Sequence, residues 1–232
     1  IRIVGRGGTN ENGIDSYYAY SKNSAVIESL GTGTIDLVGS TTHSSWYGVS
    51  LGGAAILSKA GAININGGTY GVQFNDWNYS TAYSNIGTCP ASSTPTNCNG
   101  TDSGSTTAAD VTVKGGRIDT PADQTRLIVR TTGNYKVLPD QDEQEFSGTN
   151  YHYAQVQGPA ASIQFGNDLG NVTYRQNVTL GGTYASTGGI SSYGGATTIT
   201  GSYTSGGGMV VYGAATSTAG TYNVDNGAFL VT

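Results

Sequence analysis

Charged side chains are scarce in this chain. Only 11% of its 232 residues are Asp, Glu, Lys or Arg, against about 25% in ordinary soluble domains. A membrane-spanning helix needs about 20 consecutive apolar residues, and no window supplies them, so we expect no membrane insertion of this segment. Disordered chains combine high net charge with few aromatic residues, whereas this chain has a net charge of −5 and 16 tyrosines. An ordered β structure rich in Thr, Ser and Asn remains.

Basic residues are fewer than acidic ones, 10 against 15. Nucleic-acid binding requires a basic stripe, so we expect no nucleic-acid partner. The chain starts inside one strand-like run, Ile1-Arg2-Ile3-Val4, and ends inside another, Phe229-Leu230-Val231-Thr232. We therefore expect a segment of a longer polypeptide.

Cysteine occurs only twice, at Cys89 and Cys98. The residues between them are turn formers, which favours a local disulfide. Two free thiols, or half of a metal site, are the alternatives, although a structural zinc site needs four ligands. A disulfide implies an oxidising compartment and hence a secreted protein.

Helical periodicity is absent, and apolar residues instead alternate with polar ones in short runs that end at glycine. Ile1-Arg2-Ile3-Val4-Gly5 aligns with Ile35-Asp36-Leu37-Val38-Gly39 and with Ile63-Asn64-Ile65-Asn66-Gly67. Near the C-terminus, Thr183-Tyr184, Ser202-Tyr203 and Thr221-Tyr222 recur at equal, shorter spacing. Repeats of this kind with short strands are typical of a solenoid.

Stacked rungs would bury their apolar faces as ladders, for which Ile3/Leu37/Ile65 and Val49/Val72 are candidates. We predict an all-β fold, a right-handed parallel β-helix (β-solenoid) with two loop insertions. The predicted parts are N-terminal solenoid rungs over 1–75, a Cys-containing insertion over 76–109, a rung over 110–133, an acidic and aromatic excursion over 134–158, and C-terminal rungs over 159–232.

The strings from Ile35 to Gly39, from Tyr47 to Leu51 and from Ala60 to Gly67 resemble the passenger repeats of large bacterial adhesins. These are the filamentous-haemagglutinin-like exoproteins and the autotransporter passengers. The resemblance implies a right-handed parallel β-helix that is exported and displayed on the cell surface or released. It implies no catalytic residues. The irregular repeat length and the cysteine pair depart from the pattern of such passengers.

Candidate metal-binding and catalytic residues are few. The acidic loop that contains Asp140, Asp142, Glu143 and Glu145 could bind Ca²⁺, but it lacks the glycine turn of a known calcium loop, and a solvated acidic loop is the favoured interpretation. The strand candidates for glycoside cleavage show no paired recurrence: Asp36, Asp110, Asp119 and Arg117. His43 and His152 lack a nucleophile motif. We expect no enzyme, no metal and no cofactor.

Aromatic residues are the favoured candidates for ligand contact, because Tyr and Trp stack on sugar faces and anchor protein contacts. The alternative is stacking between rungs. The candidates are Trp46, Tyr47, Trp77, Tyr79, Tyr83 and Tyr151.

These observations predict an extracellular adhesin or exoprotein segment that attaches to a glycan or protein on a host or neighbouring-cell surface. A first alternative is a subunit of an extracellular filament or matrix, which would pair with copies of itself through its strands. A second is a polysaccharide-binding or polysaccharide-cleaving β-helix such as a phage tailspike.

Overall fold

Parallel β-strands make up almost all of the regular structure. The computed structural model describes residues 1–16, 25–74, 84–88, 109–120, 127–139, 149–166, 177–193, 196–211, 214–224 and 229–231. These residues form 21 strands in three parallel sheets. The one helical element among them is a 3-10 turn over Gly68–Tyr70. The fold is therefore all-β and solenoid-like, as predicted.

The first sheet has nine strands, and their spatial order is their order along the chain. They are β1 (Arg2–Arg6), β4 (Ile35–Ser40), β7 (Ile63–Asn66), β10 (Val111–Gly115), β13 (Asn134–Pro139), β15 (Ser162–Phe165), β17 (Ile190–Ser192), β19 (Met209–Val211) and β21 (Phe229–Val231).

The second and third sheets follow the same sequential order. The second sheet has four short strands: β2 (Ile14–Asp15), β5 (Val49–Ser50), β8 (Val72–Gln73) and β11 (Ile118–Asp119). The third sheet has eight strands: β3 (Ala25–Ser29), β6 (Ala54–Ser58), β9 (Ser84–Gly87), β12 (Leu127–Arg130), β14 (Thr149–Ala160), β16 (Asn177–Ser186), β18 (Ala196–Ser205) and β20 (Ala214–Val224).

The cross-section of the stack changes along the chain. In each of the first four rungs the chain visits the first, second and third sheets in turn, whereas from β13 onwards it alternates between the first and third sheets. The long strand β14 contacts β11 as well as β12, so its first part continues from the second sheet. The rungs also become shorter along the chain. Fewer residues separate the paired positions Ser192 and Val211 than separate Ile3 and Leu37.

Apolar ladders run through the interior of the stack. Ile3 pairs with Leu37 and Leu37 with Ile65, and Val49 pairs with Val72, so both predicted ladders are confirmed. The first ladder continues through Val113, Val137, Phe165, Ser192 and Val211. All its members from Leu37 onwards are at most 3% exposed. Each rung is stable only because its neighbours cover its apolar residues.

Polar side chains form hydrogen bonds between rungs on the outside of the first sheet. Asn64 Nδ2 donates to Asp36 Oδ1 over 2.8 Å. In later rungs, Asn134 Nδ2 donates to Asp110 Oδ1 over 3.0 Å, and Ser162 Oγ donates to Asn134 Oδ1 over 2.7 Å. Stacked polar residues thus stabilise the same parallel pairing that the interior ladders require.

Glycine is required at sharp bends of the chain, both between sheets and within a long strand. Gly71 has φ 79°, and a Cβ placed on it would overlap the carbonyl oxygen of Arg117 in the next rung. Gly201, inside β18, has φ 96°, and its Cβ would overlap the carbonyl oxygen of Gly182. Only a residue without a side chain fits these bends, because the rungs lie about 4.8 Å apart.

Two stacked tyrosines fill the narrow C-terminal rungs. Tyr184 and Tyr203 are paired in register, with ring centroids 5.0 Å apart at 12°. Each hydroxyl donates to a carbonyl earlier in its own strand, Tyr184 to Gly181 over 2.9 Å and Tyr203 to Thr200 over 3.0 Å. Tyr203 pairs in turn with Tyr222, so the C-terminal repeat is confirmed. The similar string Gly68-Thr69-Tyr70 instead forms the 3-10 turn.

The two predicted excursions contain strands of the stack. Ser84–Gly87, within the predicted insertion over 76–109, is β9 and pairs with β6 and β12. Asn134–Pro139 is β13, and most of Thr149–Ala160, which forms β14, also falls within the predicted excursion over 134–158. Part of each predicted excursion therefore pairs with neighbouring rungs, and the predicted boundaries stay a prediction. Residues 75–83, 89–108 and 140–148 lie outside the described residues.

Candidate functional site

One surface loop is held by side chains from several rungs. It covers residues 41–47, between β4 and β5 of the second rung, and contains two of the predicted contact residues, Trp46 and Tyr47. Both are partly exposed, and the residues from Thr42 to Ser45 are exposed. We refer to this segment as the 41–47 loop.

Tyr47 connects this loop to the fourth rung. Its hydroxyl donates to Asp119 Oδ2 over 2.7 Å, and Arg117 Cζ lies 3.9 Å from the ring centroid. Arg117 Nε is 3.7 Å from Asp119 Oδ2. Burial and the adjacent Asp119 carboxylate raise the pKa of Tyr47 well above its usual value, and the Arg117 guanidinium opposes them only in part. Tyr47 therefore remains a neutral hydrogen-bond donor.

The stacking of the second sheet explains why these three side chains meet. Val49 pairs with Val72, and Val72 pairs with Ile118, so Gly71 of the third rung aligns with Arg117 of the fourth. Gly48 of the second rung lies in the same column, and neither glycine has a side chain, so the Arg117 side chain has room to reach back to the loop. Arg117 Nη2 accordingly donates to the Ser44 carbonyl over 3.3 Å.

The first rung holds the other side of the loop. Thr41 Oγ1 donates to the carbonyls of Gly8 and Glu11, over 3.1 and 2.9 Å. The Tyr47 N–H donates to Asn12 Oδ1 over 2.7 Å. Asn12 Nδ2 in turn donates to Asp15 Oδ2 over 2.8 Å. Both ends of the loop are thus tied to the rung before it, and its middle is tied to the fourth rung.

The tip of the loop is a tight turn. The Ser45 N–H donates to His43 Nδ1 over 3.2 Å, and the Trp46 N–H donates to the His43 carbonyl over 3.1 Å. A neutral histidine that accepts at Nδ1 carries its proton on Nε2. The exposed edge of His43 therefore presents a donor.

The remaining candidate carboxylates are engaged between rungs. Asp36 accepts from Asn64, and Asp110 accepts from the Asn134 N–H over 2.8 Å. In the described part of the chain, each strand carboxylate proposed for glycoside cleavage thus contacts a polar donor of another rung. What the sequence did not reveal is the pairing of Asp119 with Tyr47. The register of the second sheet aligns Asp119 with Gln73 and Ser50, whereas Tyr47 precedes Val49 by two residues. An alignment of the repeated strings therefore does not reveal this contact.

Most of the other predicted site residues lie outside the described residues: Trp77, Tyr79, Tyr83, Cys89, Cys98, Asp140, Asp142, Glu143 and Glu145. The disulfide and the acidic metal site stay predictions. Tyr151 lies in β14, where it pairs with Thr179 of β16. No group of three or more His, Cys, Asp or Glu that could hold a metal ion is found among the residues with described positions.

No helix within the described ranges is both long and apolar enough to cross a membrane. No known protein family matches the chain, and neither the curated proteins nor the solved structures contain a match. Function is therefore inferred from the geometry of the stack and of the 41–47 loop.

Proposed function

We propose that this chain is a segment of an extracellular right-handed β-helical exoprotein that mediates attachment to a cell or other surface. The observation that carries the proposal is a parallel stack with an aromatic loop on its surface. Strands and side chains of neighbouring rungs are joined by hydrogen bonds, and the same rungs hold the 41–47 loop. Loops on a rigid scaffold are where binding residues concentrate.

The right-handed sense follows from the general behaviour of parallel strands. A connection between parallel strands of one sheet is right-handed in about 98% of cases. Each passage from β1 to β4 and from β4 to β7 is such a connection, and it leaves the first sheet and returns to it. The same reasoning applies to every rung.

The scaffold interpretation also agrees with how the charged residues are used. Asp36, Asp110 and Asp119 accept hydrogen bonds from Asn64, Asn134 and Tyr47 of other rungs. Carboxylates engaged in this way stabilise the stack. We therefore propose that the chain binds and does not cleave its ligand. Release of reducing ends from a polysaccharide panel would contradict this part of the proposal.

Attachment is tested with the purified chain coupled to fluorescent beads. The beads are applied to cultured epithelial cells, to bacterial lawns and to glycan-coated and albumin-coated plates. Retention on at least one cellular or glycan surface, above that of beads coated with albumin, is the expected result. Retention equal to the albumin control on every surface would refute attachment.

A filament or matrix subunit is the second candidate, and the composition of the C-terminal rungs favours it. Residues 177–224 contain no Asp, Glu, Lys, Arg or His, so like charges do not oppose self-association there. Size exclusion followed by negative-stain microscopy separates the candidates, because monomeric rods support the scaffold and regular fibres support the filament.

A further inference from the structure

The geometry points to a binding site for a neutral saccharide on the 41–47 loop, with Trp46 as the stacking surface and His43 as a hydrogen-bond donor. This inference rests on the proposed function and adds the site and the ligand class to it. Three properties of the loop support it: its bonds to other rungs, its exposed groups and the charge around it.

Hydrogen bonds to other rungs hold the loop without any ligand. It has no regular secondary structure between Thr41 and Tyr47, yet both its ends and its middle are bonded to other rungs. Arg117 is bonded to the Ser44 carbonyl and lies over the Tyr47 ring. A binding loop that is already ordered loses little conformational entropy on binding. The arrangement is thus that of a preorganised recognition loop.

Tyr47 and Trp46 have different tasks in this loop. The Tyr47 hydroxyl and one face of its ring are occupied by Asp119 and Arg117, so Tyr47 positions the loop. Trp46 is partly exposed, and no described residue accepts a hydrogen bond from its indole N–H. An indole offers a broad apolar face together with one donor. That combination matches the C–H face and the hydroxyl rim of a hexose ring.

His43 adds a second donor on the same loop. Its Nδ1 accepts from the Ser45 N–H over 3.2 Å, which orients the ring and leaves the proton on Nε2. His43 is exposed. Two donors carried on the same short loop as an apolar ring are suited to sugar hydroxyls, because a few polar groups determine the orientation of a ligand on an apolar surface.

The charges around the loop favour a neutral ligand. Residues 41–47 include no Asp, Glu, Lys or Arg. Arg117, the cation that contacts the loop, lies 3.7 Å from the Asp119 carboxylate, so its charge is balanced. The whole chain carries a net charge of −5, which repels sulfated and sialylated glycans at long range. A neutral hexose oligomer is not subject to this repulsion.

The test measures binding of the whole chain to cellohexaose, maltohexaose and a neutral β-galactan oligomer, with a sulfated oligosaccharide for comparison. Calorimetry and tryptophan fluorescence give the affinities. We expect at least one neutral oligomer to bind, and Trp46→Ala to weaken that binding about tenfold. Trp46→Phe keeps an aromatic ring and should weaken it less. His43→Ala should weaken it by about threefold, as expected for the loss of one hydrogen bond.

Leu30→Ala is the matched control, because Leu30 is an exposed apolar residue that belongs to neither the loop nor its supports. It should bind like the wild type. Circular dichroism and the melting temperature establish that each variant is folded. Binding of no neutral oligomer, binding of the sulfated compound alone, or unchanged affinity in folded Trp46→Ala would each overturn the inference.

The bead assay separates this inference from the proposed function. If beads attach to a surface but Trp46→Ala beads attach equally well, the saccharide site is wrong and the attachment function stands. If a neutral oligomer binds through Trp46 but the beads attach to no surface, the site is right and the attachment function is wrong. If a cell-surface protein competes for Trp46 and no neutral oligomer does, the ligand class is wrong.

Discussion

The contact between Tyr47 and Asp119 offers the sharpest test of how the 41–47 loop is held. Tyr47→Phe removes the hydroxyl that donates to Asp119 over 2.7 Å and keeps the ring against which Arg117 packs. A hydrogen bond to a charged group contributes about 1.5–3 kcal/mol. Because the Asp119 side chain is 25% exposed, solvent weakens the bond, and we expect a loss of about 1.5 kcal/mol, at the lower end of that range.

A double-mutant cycle isolates this bond from other effects of each substitution. Tyr47→Phe, Asp119→Ala and the double variant are unfolded in urea, and tryptophan fluorescence reports the midpoint and slope. We expect a coupling free energy of about 1 kcal/mol, within the range for residues in contact. Asp36→Ala, which removes a carboxylate from the first sheet, is the control and should be additive with Tyr47→Phe. A Tyr47–Asp119 coupling below about 0.3 kcal/mol would refute the reasoning.

Three further outcomes are expected. Gly71→Ala should destabilise the chain by more than about 3 kcal/mol, since the φ of 79° and the adjacent backbone exclude a Cβ. The control Gly8→Ala, with open space around the glycine, should change stability by less than about 0.5 kcal/mol. Equal melting temperatures of the two variants would count against the corner geometry. Tyr203→Phe should cost about 1 kcal/mol in urea unfolding, because the hydroxyl bonds a backbone carbonyl over 3.0 Å; an unchanged midpoint would contradict this. Burial raises the pKa of Tyr47, with a further contribution from a neighbouring carboxylate, and burial alone raises that of Tyr135. The free energy of unfolding should therefore be highest below about pH 10, where unfolded tyrosine is neutral, and decline at higher pH by up to about 1.4 kcal/mol per pH unit for each of these residues. Urea midpoints that do not fall as the pH rises through this range, or that fall equally in Tyr135→Phe, would contradict this expectation.

The interior ladders could be predicted from the sequence because they depend on a local pattern. A strand exposes alternate residues to alternate faces, so strings such as those around Ile3, Leu37 and Ile65 show which residues point inward. In-register parallel stacking then places similar residues over one another. Aligned strings therefore sufficed to identify Ile3/Leu37/Ile65 and Val49/Val72, both of which are paired as predicted.

The loop geometry could not be predicted in the same way. Tyr47 and Asp119 are far apart along the chain and meet across two rungs, and the rung between Ile65 and its partner Val113 is longer than the one between Leu37 and Ile65. The two residues also lie in different columns of the second sheet, because Asp119 aligns with Gln73 and Ser50. The sequence did identify Trp46 and Tyr47 as aromatic candidates, but it did not show that Asp119 and Arg117 hold Tyr47.

Similar strings also differ in structure when the cross-section differs. Thr183-Tyr184 lies in the long strand β16, with the ring inside the stack. Gly68-Thr69-Tyr70 forms a 3-10 turn at the corner between the first and second sheets. Among the described residues, all four strands of the second sheet belong to the first four rungs, so this described part of the chain has no such corner around Tyr184.

By itself, the sequence determined the all-β class, the solenoid-like stacking and the inward residues of the clearest repeats, because alternation and glycine punctuation act over a few residues. The tertiary structure decided the rest. It set the change from three strands to two per rung, the strands hidden within the predicted excursions, and the contact of Tyr47 with Arg117 and Asp119. These features depend on which distant rungs are neighbours, and that depends on how many residues each rung uses to close.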